Sequence, residues 1–135
     1  MPANSDQSPL IEQSINALLK QLQIGKRYSV PRPAGSGDAY FLSVLAQQAQ
    51  KTIVVFSADP IQARRLVNEV QVFNSSLNCL LFPDWETLPY DAFSPHQDLV
   101  SERLLALHAL HNDQVDVLVV PVTTALACLA PVSFL

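Results

Sequence analysis

The sequence predicts an α/β fold with a mostly parallel sheet of about four strands and flanking helices. Two observations indicate this class: short, uncharged apolar runs alternate with amphipathic segments, and three of those segments carry a start signal for a helix. Alternation of this kind implies crossover connections and parallel strands. The chain stops at "APVSFL" after about four strands, so the sheet is expected to be incomplete and the chain to be a fragment or half of a split domain.

The first predicted elements are a frayed N-terminus, a helix and a short strand. Ser8 can cap a helix that has Pro9 at its first position, and Gly25 stops it. The run Tyr28–Val30 is a possible strand, and a second helix is expected from Ala39 to Gln50. The predicted apolar face of the first helix is Leu10, Ile11, Ile15, Leu18, Leu19 and Leu22, and that of the second is Phe41, Leu42, Leu45 and Ala49.

The next predicted elements are a buried strand and a capped helix. "KTIVVFSA" is rich in β-branched residues, as in strands covered on both faces. Asp59 is a predicted N-cap, with Pro60 at the first helical position and Gln62 three residues after the cap. The helix is expected to bury Ile61, Leu66, Val70 and Phe73.

Two further strands and two helices complete the predicted order. The strands are "NCLLF" and "VDVLVV". Ser94 and Pro95 repeat the cap-and-proline start, and Thr123 or Thr124 is expected to cap a last helix that runs to about Leu129. The helix after Ser94 is expected to bury Leu99, Leu104, Leu107 and Leu110.

Composition limits the function classes. The chain has 135 residues, 49% hydrophobic and 15% charged, with a net charge of −4. Its eight Lys and Arg residues are scattered, and the densest pair, Arg64–Arg65, is too small for a nucleic-acid footprint. The uncharged run from Val117 onward contains Pro121 and Pro131, which favours a strand and a short helix over a membrane span.

"RPAGSGDAY" occupies the place of a phosphate-binding loop, between an apolar run and a helix. The pattern GxxxxGK[ST] needs glycines, a lysine for the phosphates and a hydroxyl for Mg²⁺. Aligned on Gly37, the leading glycine becomes Arg32, the lysine Asp38 and the hydroxyl Ala39. A carboxylate about 4 Å from a phosphate oxygen costs on the order of 1 to 4 kcal/mol. The sequence therefore predicts a degenerate loop that binds no nucleotide; its residues are Arg32, Gly35, Ser36, Gly37, Asp38 and Ala39.

Three other groups of residues could suggest a functional site, but each lacks the pattern that such a site needs. Asp84 and Glu86 follow an apolar run like a Walker B acid pair, but Pro83 breaks the strand before them. His108 and His111 are spaced to share a helix face, but no set of metal ligands joins them. The two cysteines, Cys79 and Cys128, lack metal-binding or redox spacing, so both are expected to be reduced core residues. No catalytic residue, metal or cofactor is predicted.

"FPDWETLPYDAFSPHQD", from Phe82 to Asp98, has the most unusual composition. It contains the only tryptophan, three further aromatic residues, three prolines and four acids. It is either an ordered loop whose aromatic residues pack on the edge of the sheet, or a recognition loop for a partner domain or nucleic acid. The candidate interface residues are Trp85, Glu86, Tyr90, Asp91, Phe93 and His96.

The stretch "LFPDWETLPYDAFSPHQDLVSERLLALHAL" closely resembles the N-terminal region of the bacterial transcription-repair coupling factors, the Mfd family. "VDVLVVPVTTAL" and "PVSFL" continue the match, which runs from about Tyr28 to Leu135. It is most specific between Phe82 and Arg103.

The resemblance implies a degenerate RecA-like (P-loop-type) domain similar to that of UvrB. Where the UvrB pattern has GSGKT, this chain has "GSGDA". The implied division is a tail and helix over residues 1–26, followed by the first part of the UvrB-like domain over 27–135. The chain would then stop before the UvrA-binding domain, and the missing strands of the sheet would return after that domain.

For function, the resemblance implies a non-catalytic scaffold lobe of a cytoplasmic DNA-repair protein. The full-length family binds RNA polymerase stalled at a lesion, releases it by ATP-driven translocation on duplex DNA, and recruits UvrA for nucleotide excision repair. The motor with its ATP and Mg²⁺ sites lies outside the matching residues, and the other expected partners are domains of the same polypeptide. Two alternatives stay open: a helicase or ATPase fragment with a noncanonical nucleotide loop, and a stand-alone interaction module.

Overall fold

The computed structural model describes residues 8–31, 33–85, 96–127 and 129. Helices and strands alternate through most of this part of the chain, which confirms the predicted α/β class. The elements in chain order are α1 (Ser8–Gln21), α2 (Gly37–Ala49), β1 (Ile53–Ser57), α3 (Pro60–Phe73), β2 (Cys79–Leu81), α4 (Gln97–His111), β3 (Val117–Pro121) and α5 (Val122–Ala125).

The sheet is parallel and has the order β1-β3-β2. Ile53 of β1 and Cys79 of β2 are both in register with Val117, so β3 is the central strand. Within the described residues the sheet has three strands rather than about four, because the possible strand at Tyr28–Val30 is irregular chain. The arrangement is that of a small open parallel sheet, as expected for an incomplete RecA-like domain.

Alternate residues of β3 pack on opposite faces of the sheet. All five residues of β3 are buried. Val117 and Val119 belong to a cluster that includes residues of α2 and α3, whereas Leu118 and Val120 pack in a second cluster with Ala106 of α4. The sheet is therefore covered on both faces at its centre, which explains why β3 reads as a continuous apolar run.

The N-terminal start of α3 is as predicted, but its buried face is not. The Asp59 carboxylate accepts a hydrogen bond of 2.8 Å from the Gln62 backbone N–H, and Pro60 is the first helical residue. Leu66 and Val70 are buried as expected, but Ile61 is 80% exposed and Phe73 46% exposed. Ala63 completes the buried face instead, because a small side chain lets α3 lie close to its neighbours.

Helix α4 differs more from its prediction. It begins at Gln97 with His96 as N-cap, two residues later than a cap at Ser94 would place it. Its fully buried residues are Arg103 and Ala106, whereas Leu104 is 41% exposed. The prediction is confirmed for Leu107 and Leu110, which pack against the cluster that contains Phe82 and Ala106, but it is wrong for Leu104.

The smaller helices also differ in part from prediction. Helix α2 begins at Gly37, two residues earlier than expected, and its fully buried residues are Ala39, Ser43, Val44 and Ala46. Helix α5 begins directly after Pro121 and ends at Ala125, so Thr123 and Thr124 lie within it rather than capping a helix to Leu129. Among the described residues, no helix combines the length and hydrophobicity needed to cross a bilayer.

Cys79 is a free, buried cysteine at the start of β2, as predicted. Burial, and secondly the charge of Asp116, raises the pKa of its thiol from 9.0 to about 11. The thiol is therefore protonated and unreactive near neutral pH. The side chain of Cys128 lies outside the described residues.

Candidate functional site

The predicted phosphate loop is a tight turn that leads into α2. The Gly37 N–H donates a hydrogen bond of 3.1 Å to the Ala34 carbonyl, and Gly35 has a φ of +59°. A Cβ atom on Gly37 would lie 2.6 Å from the Cβ of Pro33. Both glycines are therefore required by the turn itself, Gly35 by its left-handed backbone and Gly37 by close approach. Arg32 lies outside the described residues.

Asp38, at the position of the P-loop lysine, contacts Ala39 and Arg65. One carboxylate oxygen, Oδ1, accepts a hydrogen bond of 2.8 Å from the Ala39 N–H. The other, Oδ2, lies 2.9 Å from an Nη atom of Arg65 on α3. Asp38 is thus in the first turn of α2, where its negative charge interacts favourably with the helix dipole. The N-cap residue of α2 is Ser36.

Arg65 joins Asp38 to a second acid. Its other terminal nitrogen lies 3.4 Å from Oε1 of Glu69, one turn further along α3. The Arg65 Nε and the second oxygen of Glu69 are buried without a hydrogen-bond partner among the described residues. The side chains of Arg65 and Asp38 are 33% and 19% exposed, so solvent screens the pair. The group joins α2 to α3, and the charge of Arg65 is balanced by two carboxylates.

A second polar group lies at the carboxyl end of β2, around Arg103 of α4. The Arg103 guanidinium carbon is 4.3 Å from the ring centre of Phe82 and 4.2 Å from that of Trp85. One Nη atom donates a hydrogen bond of 2.6 Å to the Pro83 carbonyl. The whole residue is only 3% exposed. The predicted interface residue Trp85 is therefore held against the body of the domain.

Asp84 connects the same segment to α5, which directly follows β3. Its Oδ1 accepts a hydrogen bond of 2.8 Å from the Trp85 N–H, and its Oδ2 accepts one of 3.1 Å from the Thr123 hydroxyl. Burial lowers the pKa of Arg103, and the nearby charge of Asp84 opposes that shift. Arginine remains a cation at any physiological pH. Both oxygens of Asp84 are thus occupied by groups of its own turn and of α5, which suits a structural role better than a metal-binding one.

The other residues of the predicted interface are only partly placed. Glu86, Tyr90, Asp91 and Phe93 lie outside the described residues. His96 is exposed and serves as N-cap of α4, where its Nδ1 accepts a hydrogen bond of 3.3 Å from the Asp98 N–H. The sequence alone gave no sign of Arg103, because an arginine among leucines on an amphipathic helix is usually exposed.

The described residues show no metal centre. They contain no group of three or more His, Cys, Asp or Glu side chains that could hold an ion. His108 and His111 are exposed on α4, as predicted. An open groove of about 470 Å³ lies between α4 and the edge of β2, lined mainly by apolar side chains such as Leu80 and Leu105, with Glu102 and His108 among its polar ones.

Comparison with known proteins gives a consistent result. No family model matches the chain. The transcription-repair-coupling factor of Haemophilus influenzae is 42% identical over 98 residues, which are 73% of this chain and 8% of that protein. The transcription-repair-coupling factor of Escherichia coli K12 is 36% identical over 114 residues, which are 84% of this chain and 10% of that protein.

The chain therefore spans at most about a tenth of the length of these relatives. Identity of this extent, over most of the chain, confirms the resemblance that the stretch from Phe82 to Arg103 indicated. The chain is homologous to the N-terminal region of the transcription-repair-coupling factors.

Proposed function

We propose that this chain is a non-catalytic scaffold lobe of a transcription-repair coupling factor. In this lobe the loop from Pro33 to Ala39 keeps the shape of a phosphate-binding turn but binds no nucleotide. The observation that carries the proposal is the 2.9 Å contact between Asp38 and Arg65. It puts a carboxylate where a nucleotide loop has a lysine, and it engages the neighbouring cation.

The physical reason is electrostatic. A nucleotide loop works because backbone N–H groups, a helix N-terminus and a lysine all favour the phosphates. Here the Asp38 carboxylate itself takes the Ala39 N–H and Arg65, so an incoming phosphate would have to displace it. The Gly37 N–H is already used within the turn. These groups support a turn whose polar atoms stabilise the fold instead of binding a ligand.

The remaining parts of the proposal come from the family. In the full-length protein, RNA polymerase, UvrA and duplex DNA would be bound by other domains, and ATP with Mg²⁺ by a motor outside this chain. The lobe would act in the cytoplasm by supporting the adjacent UvrA-binding domain. Trp85, buried on one side by Arg103, would present the interface to other domains of the same polypeptide.

A titration of the chain with Mg²⁺-ATP tests the missing nucleotide site. We expect no heat of binding for the wild type at micromolar to millimolar ATP by isothermal titration calorimetry. The double variant Asp38→Lys/Ala39→Thr restores the two lost side chains, and Glu12→Lys makes the same charge change at an exposed position on α1. Binding by the double variant alone would identify positions 38 and 39 together as those that removed the site. Micromolar binding or ATP hydrolysis by the wild type would contradict the proposal.

Hydrogen exchange tests the interface. The backbone amides of Phe82, Asp84 and Trp85 are compared in this chain and in the full-length protein. We expect slower exchange in the full-length protein, because another domain would cover this segment. Equal exchange in the two proteins would exclude an interface at Trp85 while leaving the nucleotide-free loop untouched.

A further inference from the structure

Arg103 is the one charged side chain that is fully buried among the residues that the structure describes. Its guanidinium carbon lies 4.3 Å from the ring centre of Phe82 and 4.2 Å from that of Trp85, and one Nη atom donates a hydrogen bond to the Pro83 carbonyl. No carboxylate contacts it within ion-pair distance in the described part of the chain, and Asp84 acts on it only through its field. Its surroundings are thus two rings and one carbonyl.

Stability alone does not account for this choice of side chain. A buried guanidinium loses its hydration, and apolar side chains of similar volume often stabilise a core equally well or better. Helix α4 has leucines next to Arg103 that could have been buried in its place. Leu104 and Leu105, the next two residues, are 41% and 69% exposed. The helix therefore buries an arginine while it leaves two leucines in contact with solvent. A property of arginine other than hydrophobicity must be used at this position.

That property is the flat, rigid guanidinium group. A planar group in contact with two rings restricts the orientation of both, and its N–H groups lie in that plane, where one of them donates to the Pro83 carbonyl. A lysine ammonium has the charge but no plane, and a methionine has the length but neither. Phe82 is itself only 3% exposed and belongs to the core. Because Arg103 contacts both rings, it holds the ring of Trp85 in a fixed position relative to the core.

We propose that Arg103 is a positioning residue that holds the indole of Trp85 in one orientation at the domain surface. Trp85 is half-buried and is the first of the candidate interface residues. A rigid aromatic anchor binds a partner at lower entropic cost than a mobile one. The positioning role stands on the geometry of the described residues, and only its use in an interface rests on the proposed function.

The chain offers a direct readout, because Trp85 is its only tryptophan. Fluorescence and the near-ultraviolet tryptophan signal in circular dichroism therefore report on this one side chain. The variants are Arg103→Lys and Arg103→Met, and the matched control is Arg64→Met, which removes an exposed arginine of α3. Acrylamide serves as the quencher because it is neutral and does not respond to the change in charge.

We expect both Arg103 variants to lose the near-ultraviolet band, shift the Trp85 emission to longer wavelength and increase acrylamide quenching, while Arg64→Met matches the wild type. Far-ultraviolet circular dichroism is expected to keep its helical signal in all three. A purely electrostatic role instead predicts wild-type Trp85 signals for Arg103→Lys, because lysine keeps the positive charge. Wild-type Trp85 signals in Arg103→Lys would therefore overturn the proposal.

A measurement on the wild type keeps the test decisive if Arg103→Met does not fold. In nuclear magnetic resonance the side-chain protons of Arg103 should be shifted upfield by the two rings, relative to those of Arg27, Arg64 and Arg65. Unshifted Arg103 resonances would overturn the positioning role. Failure of the interface is recognised separately, by equal hydrogen exchange at Trp85 in this chain and in the full-length protein.

Discussion

The two polar groups of this molecule each centre on an arginine, but the arginines are held in opposite ways. Arg65 is one-third exposed and contacts two carboxylates, Asp38 and Glu69. Arg103 is buried and contacts two rings and a carbonyl. Arg65 joins two helices through ion pairs that solvent screens. Arg103 joins a helix to the end of a strand through contacts with two rings and a carbonyl.

The difference indicates which of the two regions contributes more to the free energy of unfolding. The turn before α2 is shaped mainly by its own backbone, through Gly35, Gly37 and Pro33, and the ion pair adds little energy. The segment from Phe82 to Trp85 contains Pro83 but no glycine, and its side chains also depend on packing with Arg103 of α4. We therefore expect changes near Arg103 to cost more free energy of unfolding than changes near Arg65.

The largest expected effect is that of Phe82→Ala. Phe82 is 3% exposed in the cluster with Ala106, Leu118 and Val120. Its truncation removes a core ring and one side of the Arg103 stack, so we expect a loss of about 3–5 kcal/mol in the free energy of unfolding. Urea denaturation, followed by far-ultraviolet circular dichroism, measures it.

Phe73→Ala is the matched control for Phe82→Ala. Phe73 lies at the end of α3, is 46% exposed and contacts Tyr40 edge to face at 5.5 Å between ring centres. Its truncation should cost clearly less than that of Phe82. Equal losses in the two variants would show that the carboxyl end of β2 is no better packed than the surface of α3.

Gly37→Ala is expected to have an intermediate effect, in the other region. The new Cβ would lie 2.6 Å from the Cβ of Pro33, an atom of a rigid ring, so the turn must move. Overpacking of this kind costs about 1–3 kcal/mol. Thermal or urea unfolding measures the loss.

Gly35→Ala separates steric conflict from backbone strain. A Cβ on Gly35 meets open space, but the φ of +59° is unfavourable for alanine by about 1 kcal/mol. We expect Gly37→Ala to be the more destabilising variant. If Gly35→Ala costs more, the turn is held by its left-handed residue rather than by contact with Pro33.

The sequence was sufficient to predict those features that depend on local chemistry. The alternation of apolar runs and helices indicated the α/β class. Strands β1 and β2 lie within predicted runs, and β3 extends one residue past its run, to Pro121. Strand β1 is not covered on both faces as predicted, because Val54 and Phe56 are 47% and 63% exposed. Asp59 and Pro60 start α3 as expected, since a cap is formed by residues a few positions apart. The strand predicted at Tyr28–Val30 is absent, because a strand also needs a neighbour to pair with and local propensity does not provide one.

The features that depend on distant residues could not be predicted. Arg65 lies 27 residues from Asp38, and Arg103 lies 20 residues from the Pro83 carbonyl. The leucine pattern correctly predicted that Leu107 and Leu110 of α4 pack on the core, but it missed Arg103, whose burial depends on Phe82 and Trp85. The sequence shows an aspartate at position 38, but the contact between Asp38 and Arg65 is visible only in the structure.

The smallest expected effect is the coupling between Asp38 and Arg65. In a double-mutant cycle with Asp38→Asn and Arg65→Met, we expect a coupling energy of about 0.2–1 kcal/mol at low salt, as for other exposed pairs. At 1 M salt, where the Debye length is about 3 Å, it should fall further. Urea unfolding of the wild type, the two single variants and the double variant at both salt concentrations measures this coupling.

The pair Arg65 and Glu69 gives the matched cycle, because it shares the arginine but lies within one helix, at 3.4 Å. Neighbours of this kind contribute about 0.3–0.5 kcal/mol. Similar, salt-sensitive energies in the two cycles would mean that the Asp38–Arg65 pair stabilises the fold little. A coupling of several kcal/mol that ignored salt would instead make Arg65 an anchor of the same strength as Arg103, and the contrast between the two regions would be wrong.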